Sequence, residues 1–447
     1  MKFDRSKAPD PRPLDSFPVP EIETLKLENG LQIYYIKKSE LPIVLLNVVI
    51  NSGSKFDPAG KKGIFNLLSM CIDEGAGEFN SLELSEQFDL LGASFSVFCN
   101  SDTIQISLQT LKENFDKAFE LLEKVLKEPH LKTEDFEREK RKILTRLQQL
   151  KDDPDYVANV SFESILLGDK NPYSYPVMGY EKNIEQITND DISSNYHDFV
   201  LPNNSFIVVT GDIDKTGLMN KLQQNLSGWK NKSFGNLFHL QNKNDLHKVY
   251  IVDKKASVQT EIRVGHNSSG RDANDYFAKH LLNTILGGQF TSRINLNLRE
   301  KHGYTYGAGS NFNYYKESAY FSVSTSVGIE DTGNALKEIF NELKNIRNGV
   351  TEKELNFAKS SIVRKFPSNF ETYKQIASNI TGKVIFSLPD EYFRNYIDNI
   401  NSISLDHVNT AAIENVLPDR MMTVLVGDKE KLTQQLKGNE FGEVEIL

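Results

Sequence analysis

The chain carries one unit twice, and this duplication restricts the fold more than any other feature. Residues 201–212 read LPNNSFIVVTGD and residues 417–428 read LPDRMMTVLVGD, an offset of 216. ITNDDI (187–192) matches ISLDHV (403–408) at that same offset, and KTEDFEREKRKIL resembles VTEKELNFAKSSI at an offset of 218. Ordered matches at a shared offset mark two copies of a unit of roughly two hundred residues, near the upper size of one domain. A chain of 447 residues is too long for one ordinary core in any case. Between the copies, NKSFGNLFHLQNKND is polar and weakly periodic and reads as a linker. The expected division is a domain over 1–230, a linker over 231–245 and a second domain over 246–447.

Each copy reads as mixed helix and strand. LKLENGLQIYYIK alternates apolar and polar residues around Asn29-Gly30, a hairpin signal. PIVLLNVVINSG reads as a buried strand, and SFSVFCNSDTIQISLQTL as a second hairpin turning at Asn100-Ser101-Asp102. Amphipathic periodicity predicts helices over 114–127, 134–150 and 155–167, and then a closing strand over 205–210. The second copy begins with the strand HKVYIVDK and repeats the order.

Composition excludes several function classes. With 52 basic and 61 acidic residues and a net charge of -9, no basic cluster stands out, which argues against a nucleic-acid partner. The amino-terminal stretch mixes charges and prolines where a signal peptide needs a continuous apolar run, and no later run reaches membrane-spanning length. A cytoplasmic protein with no membrane partner is expected. Cys71 and Cys99 sit in apolar surroundings and read as buried free thiols. The histidines are His130, His197, His239, His247, His266, His280, His302 and His407, and no two stand three or four apart. A helical His pair for zinc is therefore absent. Gly287-Gly288 lacks the companions of a phosphate loop or dinucleotide turn, and no serine sits in G-x-S-x-G.

In GKKGIFNLLSMCIDEG, residues 60–75, an apolar helical run ends at an acidic, glycine-containing turn. Its residues Asn66, Ser69 and Met70 fall at i, i+3 and i+4 and share one helical face. In the second copy stands ILGGQFTSRINLNLREKHGYTYGAGS. Over nearly the whole chain these segments resemble the M16 (insulinase/pitrilysin) peptidases, in the bacterial two-domain branch that is similar to the mitochondrial processing peptidase. The resemblance implies an α+β chain with a duplicated LuxS/MPP-like metallohydrolase fold, each domain a mainly antiparallel sheet with helices packed on one face.

In active relatives the first helix carries H-x-x-E-H, two zinc-binding histidines and a glutamate base. Here the matching residues are Asn66, Ser69 and Met70, so both ligands and the base are gone. The third ligand, a glutamate from a later helix, matches Thr145 or Arg146. Neither replaces a carboxylate, and no metal is expected in this chain. The resemblance also implies an Arg and a Tyr that hold substrate at the scissile bond, matched by Arg299 and Tyr306 in LREKHGYTYG. A guanidinium and a phenol can donate to a carbonyl oxygen that becomes anionic. Tyr304 is the nearest competitor, and Gly303 and Gly307 bracket the segment. An Arg capping its helix and a Tyr packed in a strand is the plainer alternative. The implied function is a substrate-holding subunit that carries no zinc, in a dimer with a zinc-bearing M16 subunit and a peptide substrate. The alternatives are a structural or peptide-binding homodimer, and an autonomous peptidase with unusual ligands.

Overall fold

The computed structural model describes residue 14 and residues 16–233, 247–436 and 441–447. Nearly all of the expected linker, 231–245, lies outside the described residues. The first copy supplies β1 (Glu23–Lys26), β2 (Gln32–Lys37), β3 (Ile43–Ile50), a short β4–β5 hairpin (Gly75–Ala76, Phe79–Asn80), β6 (Ser94–Cys99), β7 (Ile104–Leu111) and β8 (Ser205–Gly211). The second supplies β9 (Lys248–Asp253), β10 (Gln259–Asn267), β11 (Ala308–Tyr314), β12 (Ala319–Gly328), β13 (Met422–Gly427) and β14 (Glu443–Ile446).

The sheet orders are β1-β2-β8-β3-β7-β6 and, from the matching edge, β14-β9-β13-β10-β12-β11. Five strands therefore correspond one to one. β8 lies parallel to β2 and antiparallel to β3, and β13 is parallel to β9 and antiparallel to β10. The repeated LP…GD segments are thus equivalent strands at equivalent places. Both sheets are mainly antiparallel and carry helices of their own copy on one face, the expected α+β architecture.

The other face is closed by exchange. Alternate residues of a strand point to opposite faces, and β3 divides accordingly. Val44, Leu46, Val48 and Ile50 join the first core, whereas Leu45 and Val49 join the second. The second core reaches them through the helix Tyr373–Ile385, which packs on β3 and β8. Reciprocally, the helix Pro154–Leu167 of the first copy packs on β10 and β13. Its Ala158, Phe162, Leu166 and Leu167 cluster with Tyr250, Tyr320, Met422, Val424 and Val426. Gly265 accommodates Phe162 closely, since a Cβ there would stand 2.8 Å from Phe162 Cζ and 2.1 Å from the Phe321 carbonyl oxygen.

Polar contacts fix the same junction. Glu163 accepts from the hydroxyls of Tyr315 (3.0 Å) and Tyr320 (2.6 Å). The Arg263 guanidinium, on β10, reaches Asn159 (2.7 Å) and Asp155. Among the described residues no helix is long and apolar enough to cross a membrane. Cys71 is buried, Cys99 is half-buried, and both are free thiols.

Candidate functional site

The helix carrying the altered motif, Ile64–Cys71, starts at Gly63 with φ of 99°. A Cβ at Gly63 would lie 2.5 Å from the Met178 carbonyl oxygen, so glycine is required twice over. Asp57 caps the start, accepting from Gly63 N (2.6 Å) and Phe65 N (3.1 Å). Leu67 and Leu68 are fully buried, whereas Asn66 and Met70 are half-buried on the remaining face. There the Asn66 amide nitrogen lies 3.9 Å from the Met70 sulfur. Ser69, itself buried, donates its hydroxyl to the Asn66 carbonyl oxygen at 2.7 Å.

Zinc does not fit this face. It favours thiolate, imidazole and carboxylate, whereas the donors here are a neutral amide, a thioether and a hydroxyl bonded back to its own helix. Among the described residues no group of three or more His, Cys, Asp or Glu side chains is placed to hold a metal ion.

The partner helix, Thr133–Leu150, packs on this one. Both positions matched to the third ligand, Thr145 and Arg146, are exposed, and Arg146 donates to Gln149 at 3.4 Å. The buried stripe is instead Phe136, Glu139, Ile143, Leu147 and Leu150. Glu139, 2% exposed, accepts from Lys142 (2.7 Å) and from Arg138 Nε (3.1 Å). Burial, reinforced by the Glu74 and Glu139 carboxylates, pushes Asp73 up to about 7. Burial likewise raises the Cys71 thiol, with Glu139 next in effect. Sequence reasoning missed this acidic group. Its signal was a carboxylate standing on an otherwise apolar helical stripe.

In the second copy, Arg299 lies in a π-helical turn, Leu296–Lys301, where His302 N donates to Asn297 O at 3.1 Å. Such widened turns recur at functional sites. The Arg299 guanidinium sits over the Phe290 ring, 4.2 Å from its centroid, with Nη1 3.3 Å from Glu300. That Nη1 is buried and makes no hydrogen bond among the described residues. Tyr306 precedes β11 and is 95% exposed. Its loop is fastened by Thr305, whose hydroxyl meets Gly307 N at 3.1 Å, and by Ala308 N donating to Asn295 at 3.0 Å.

Tyr304 is placed differently, half-buried and stacked on His302 at 5.1 Å. Of the bracketing glycines, Gly303 adopts φ of 70°, whereas Gly307 stands outside the left-handed region. Only Gly303 of the two takes a conformation that favours glycine. The structure thus brings Asn66, Ser69 and Met70 together on one face. It leaves Arg146 outward and holds Arg299 and Tyr306 at the two ends of one turn and loop.

Residues 32–177 match the sequence model of the insulinase family, peptidase family M16, and residues 186–362 match that of the peptidase M16 inactive domain. The two together cover more than half of the chain. An uncharacterized zinc protease of Rickettsia felis is 24% identical over 342 residues, 75% of this chain and 81% of the relative. A Helicobacter pylori protein described as non-peptidase homolog YmxG is 22% identical over 404 residues, 89% of this chain and 92% of the relative. Among solved structures, a peptidase M16 inactive domain from Pseudomonas fluorescens superposes with a TM-score of 0.85 at 23% identity, over 91% of this chain and 98% of that one. A Helicobacter pylori protease superposes with a TM-score of 0.85 at 19% identity, over 91% and 100%. At these identities the structural likeness shows the fold.

Proposed function

The chain belongs to the M16 peptidase family, and from that premise we propose that it is a non-catalytic, substrate-holding subunit of a heterodimeric zinc peptidase acting on peptides or unfolded polypeptides. In this reading residues 1–230 and 246–447 are its two domains, joined by 231–245. Zinc and the H-x-x-E-H motif reside in a partner subunit of the same family. The pair works in the cytoplasm.

One contrast carries the reading. The motif helix has lost its ligands and base, and Asn66, Ser69 and Met70 engage one another. Arg299 and Tyr306, by contrast, reach solvent at the two ends of one turn and loop, a guanidinium on a side chain 33% exposed over Phe290 and a 95% exposed phenol. Both suit the oxygen of a scissile carbonyl, on which negative charge develops as a tetrahedral intermediate forms. Phe290 under Arg299 fixes the direction of the guanidinium and leaves its edge for hydrogen bonding. The name non-peptidase homolog, borne by the Helicobacter pylori relative, agrees with a chain that lacks its own catalytic centre.

The test is complementation. The chain alone should cleave no unfolded peptide, and mixing it with the zinc-bearing subunit from the same cell should produce cleavage abolished by a chelator.

A further inference from the structure

The duplication places a cavity in the second copy at the position of the altered motif in the first. HLLNT, residues 280–284, aligns with NLLSM, residues 66–70, at an offset of 214. Leu281 and Leu282 are fully buried, as are Leu67 and Leu68. The helix Tyr276–Leu286 packs on Glu352–Lys365 in the way that Ile64–Cys71 packs on Thr133–Leu150. His280 and Thr284, the counterparts of Asn66 and Met70, both line a cavity of about 460 Å³. That volume is in the range of small-ligand sites, roughly 300–1,000 Å³.

The charge of this cavity has one sign. Arg271, His280, Lys365 and Lys383 line it, and no Asp or Glu does. Among the described residues Arg271, His280 and Lys365 have no ion-pair partner, and Lys383 pairs with Asp390, whose side chain is 91% exposed. Arg271 lies over Tyr276, its guanidinium carbon 3.2 Å from the ring centroid, and donates to the Tyr392 hydroxyl. Burial, with Arg271 and then Lys365 beside it, lowers His280 to about 4, so the imidazole is neutral at pH 7. A metal cation would meet two fixed positive charges here, whereas an anion would be attracted by both. Phe366, Tyr392, Phe393 and Tyr396 supply an aromatic wall; Asn369 supplies a side-chain amide, and Asn379, whose amide nitrogen donates to the Asn369 and Gln375 carbonyls (2.9 Å each), supplies an acceptor oxygen.

We infer that this cavity binds the carboxy-terminal residue of a peptide, with the carboxylate on Arg271 and Lys365 and an aromatic or large aliphatic side chain on the aromatic wall. A main-chain carboxylate beside an apolar side chain matches a lining that is cationic at some points and aromatic at others. The side-chain amide of Asn369 and the amide oxygen of Asn379 suit the preceding peptide group. Gly288 and Gln289, on the cavity lining, directly precede Phe290, the ring beneath Arg299, so the cavity adjoins the segment proposed to hold substrate.

The experiment uses the isolated chain and no second subunit, so its outcome is independent of the peptidase proposal. Fluorescence anisotropy would follow an amino-terminally labelled peptide, Gly-Ser-Gly-Ser-Gly-Phe, with a free carboxylate or as its carboxamide. The free acid should bind at least about tenfold more tightly, as expected for a charge-assisted contact. Lys365→Gln, at an exposed position, should weaken the acid about tenfold and leave the amide unchanged. Arg271→Gln, with folding verified by circular dichroism, should do the same. Equal binding of acid and amide, or unaltered binding by Lys365→Gln, would overturn the inference. Displacement by inorganic phosphate combined with equal binding of acid and amide would assign the cavity to a phosphate ligand instead.

Discussion

The side-chain amide of Asn66 lies 3.9 Å from the sulfur of Met70, one helical turn along the same face. In an active relative those two positions would hold a metal between them. Here they touch each other, and the hydroxyl of Ser69 is bonded to the Asn66 carbonyl. Elemental analysis of the purified chain should therefore find no stoichiometric zinc. Asn66→His or Met70→His alone should not change this, because a catalytic zinc site needs three protein ligands. About one firmly held zinc per chain, lost on changing Asn66 or Met70, would contradict the account.

The exchanged helices should make the two copies unfold together. Phe162 is 2% exposed and belongs to the first copy, yet its neighbours are strand residues of the second. Phe162→Ala should lower the free energy of unfolding by about 3–5 kcal/mol. Tyr320→Phe, which removes one donor to Glu163, should cost about 1–2 kcal/mol. Urea unfolding followed by circular dichroism should show one transition for the wild type. Two well-separated transitions would mean that the exchanged helices do not couple the copies.

The acidic turn after the motif helix should carry a pH signature. Asp73 sits at about 7 in the folded chain, above the usual 3.8, because of burial and then the neighbouring carboxylates Glu74 and Glu139. The folded state therefore retains a proton that the unfolded chain has released. The stability from this group is complete below about pH 4 and is lost as pH rises through about 7. Asp73→Asn has no charge to develop. A shift of three units corresponds to about 4 kcal/mol, and partial solvent contact reduces it to about 2 kcal/mol. Relative to wild type, the variant should gain about that much between roughly pH 4 and pH 7. Identical pH profiles for the two proteins would refute the shift.

The strands and the duplication were legible because their signals are local. The Asn29-Gly30 hairpin forms between β1 and β2, and the helices expected over 114–127, 134–150 and 155–167 are found as Phe115–Lys127, Thr133–Leu150 and Pro154–Leu167. The exchange of Pro154–Leu167 and Tyr373–Ile385 was not legible. An apolar stripe states that a helix face is buried, but not which sheet covers it. The inward turn of Glu139 was not legible either. The 3.6-residue period that buries Phe136, Ile143 and Leu147 turns Thr145 and Arg146, the positions matched to the third ligand, outward and Glu139 inward. The π-helical turn at Leu296–Lys301 has no composition of its own and emerged only from its hydrogen bonds.

The proposed role lends Arg299 and Tyr306 to a catalytic centre in a zinc-bearing partner. Its most direct test is the turnover of an unfolded peptide by the complex of this chain with its zinc-bearing partner. Arg299→Ala or Tyr306→Phe should lower turnover about 10²- to 10³-fold, with zinc content and assembly intact, whereas Tyr304→Phe should have little effect. A complex that cleaves equally well with both Arg299 and Tyr306 replaced would contradict the substrate-holding role and favour the structural or peptide-binding homodimer.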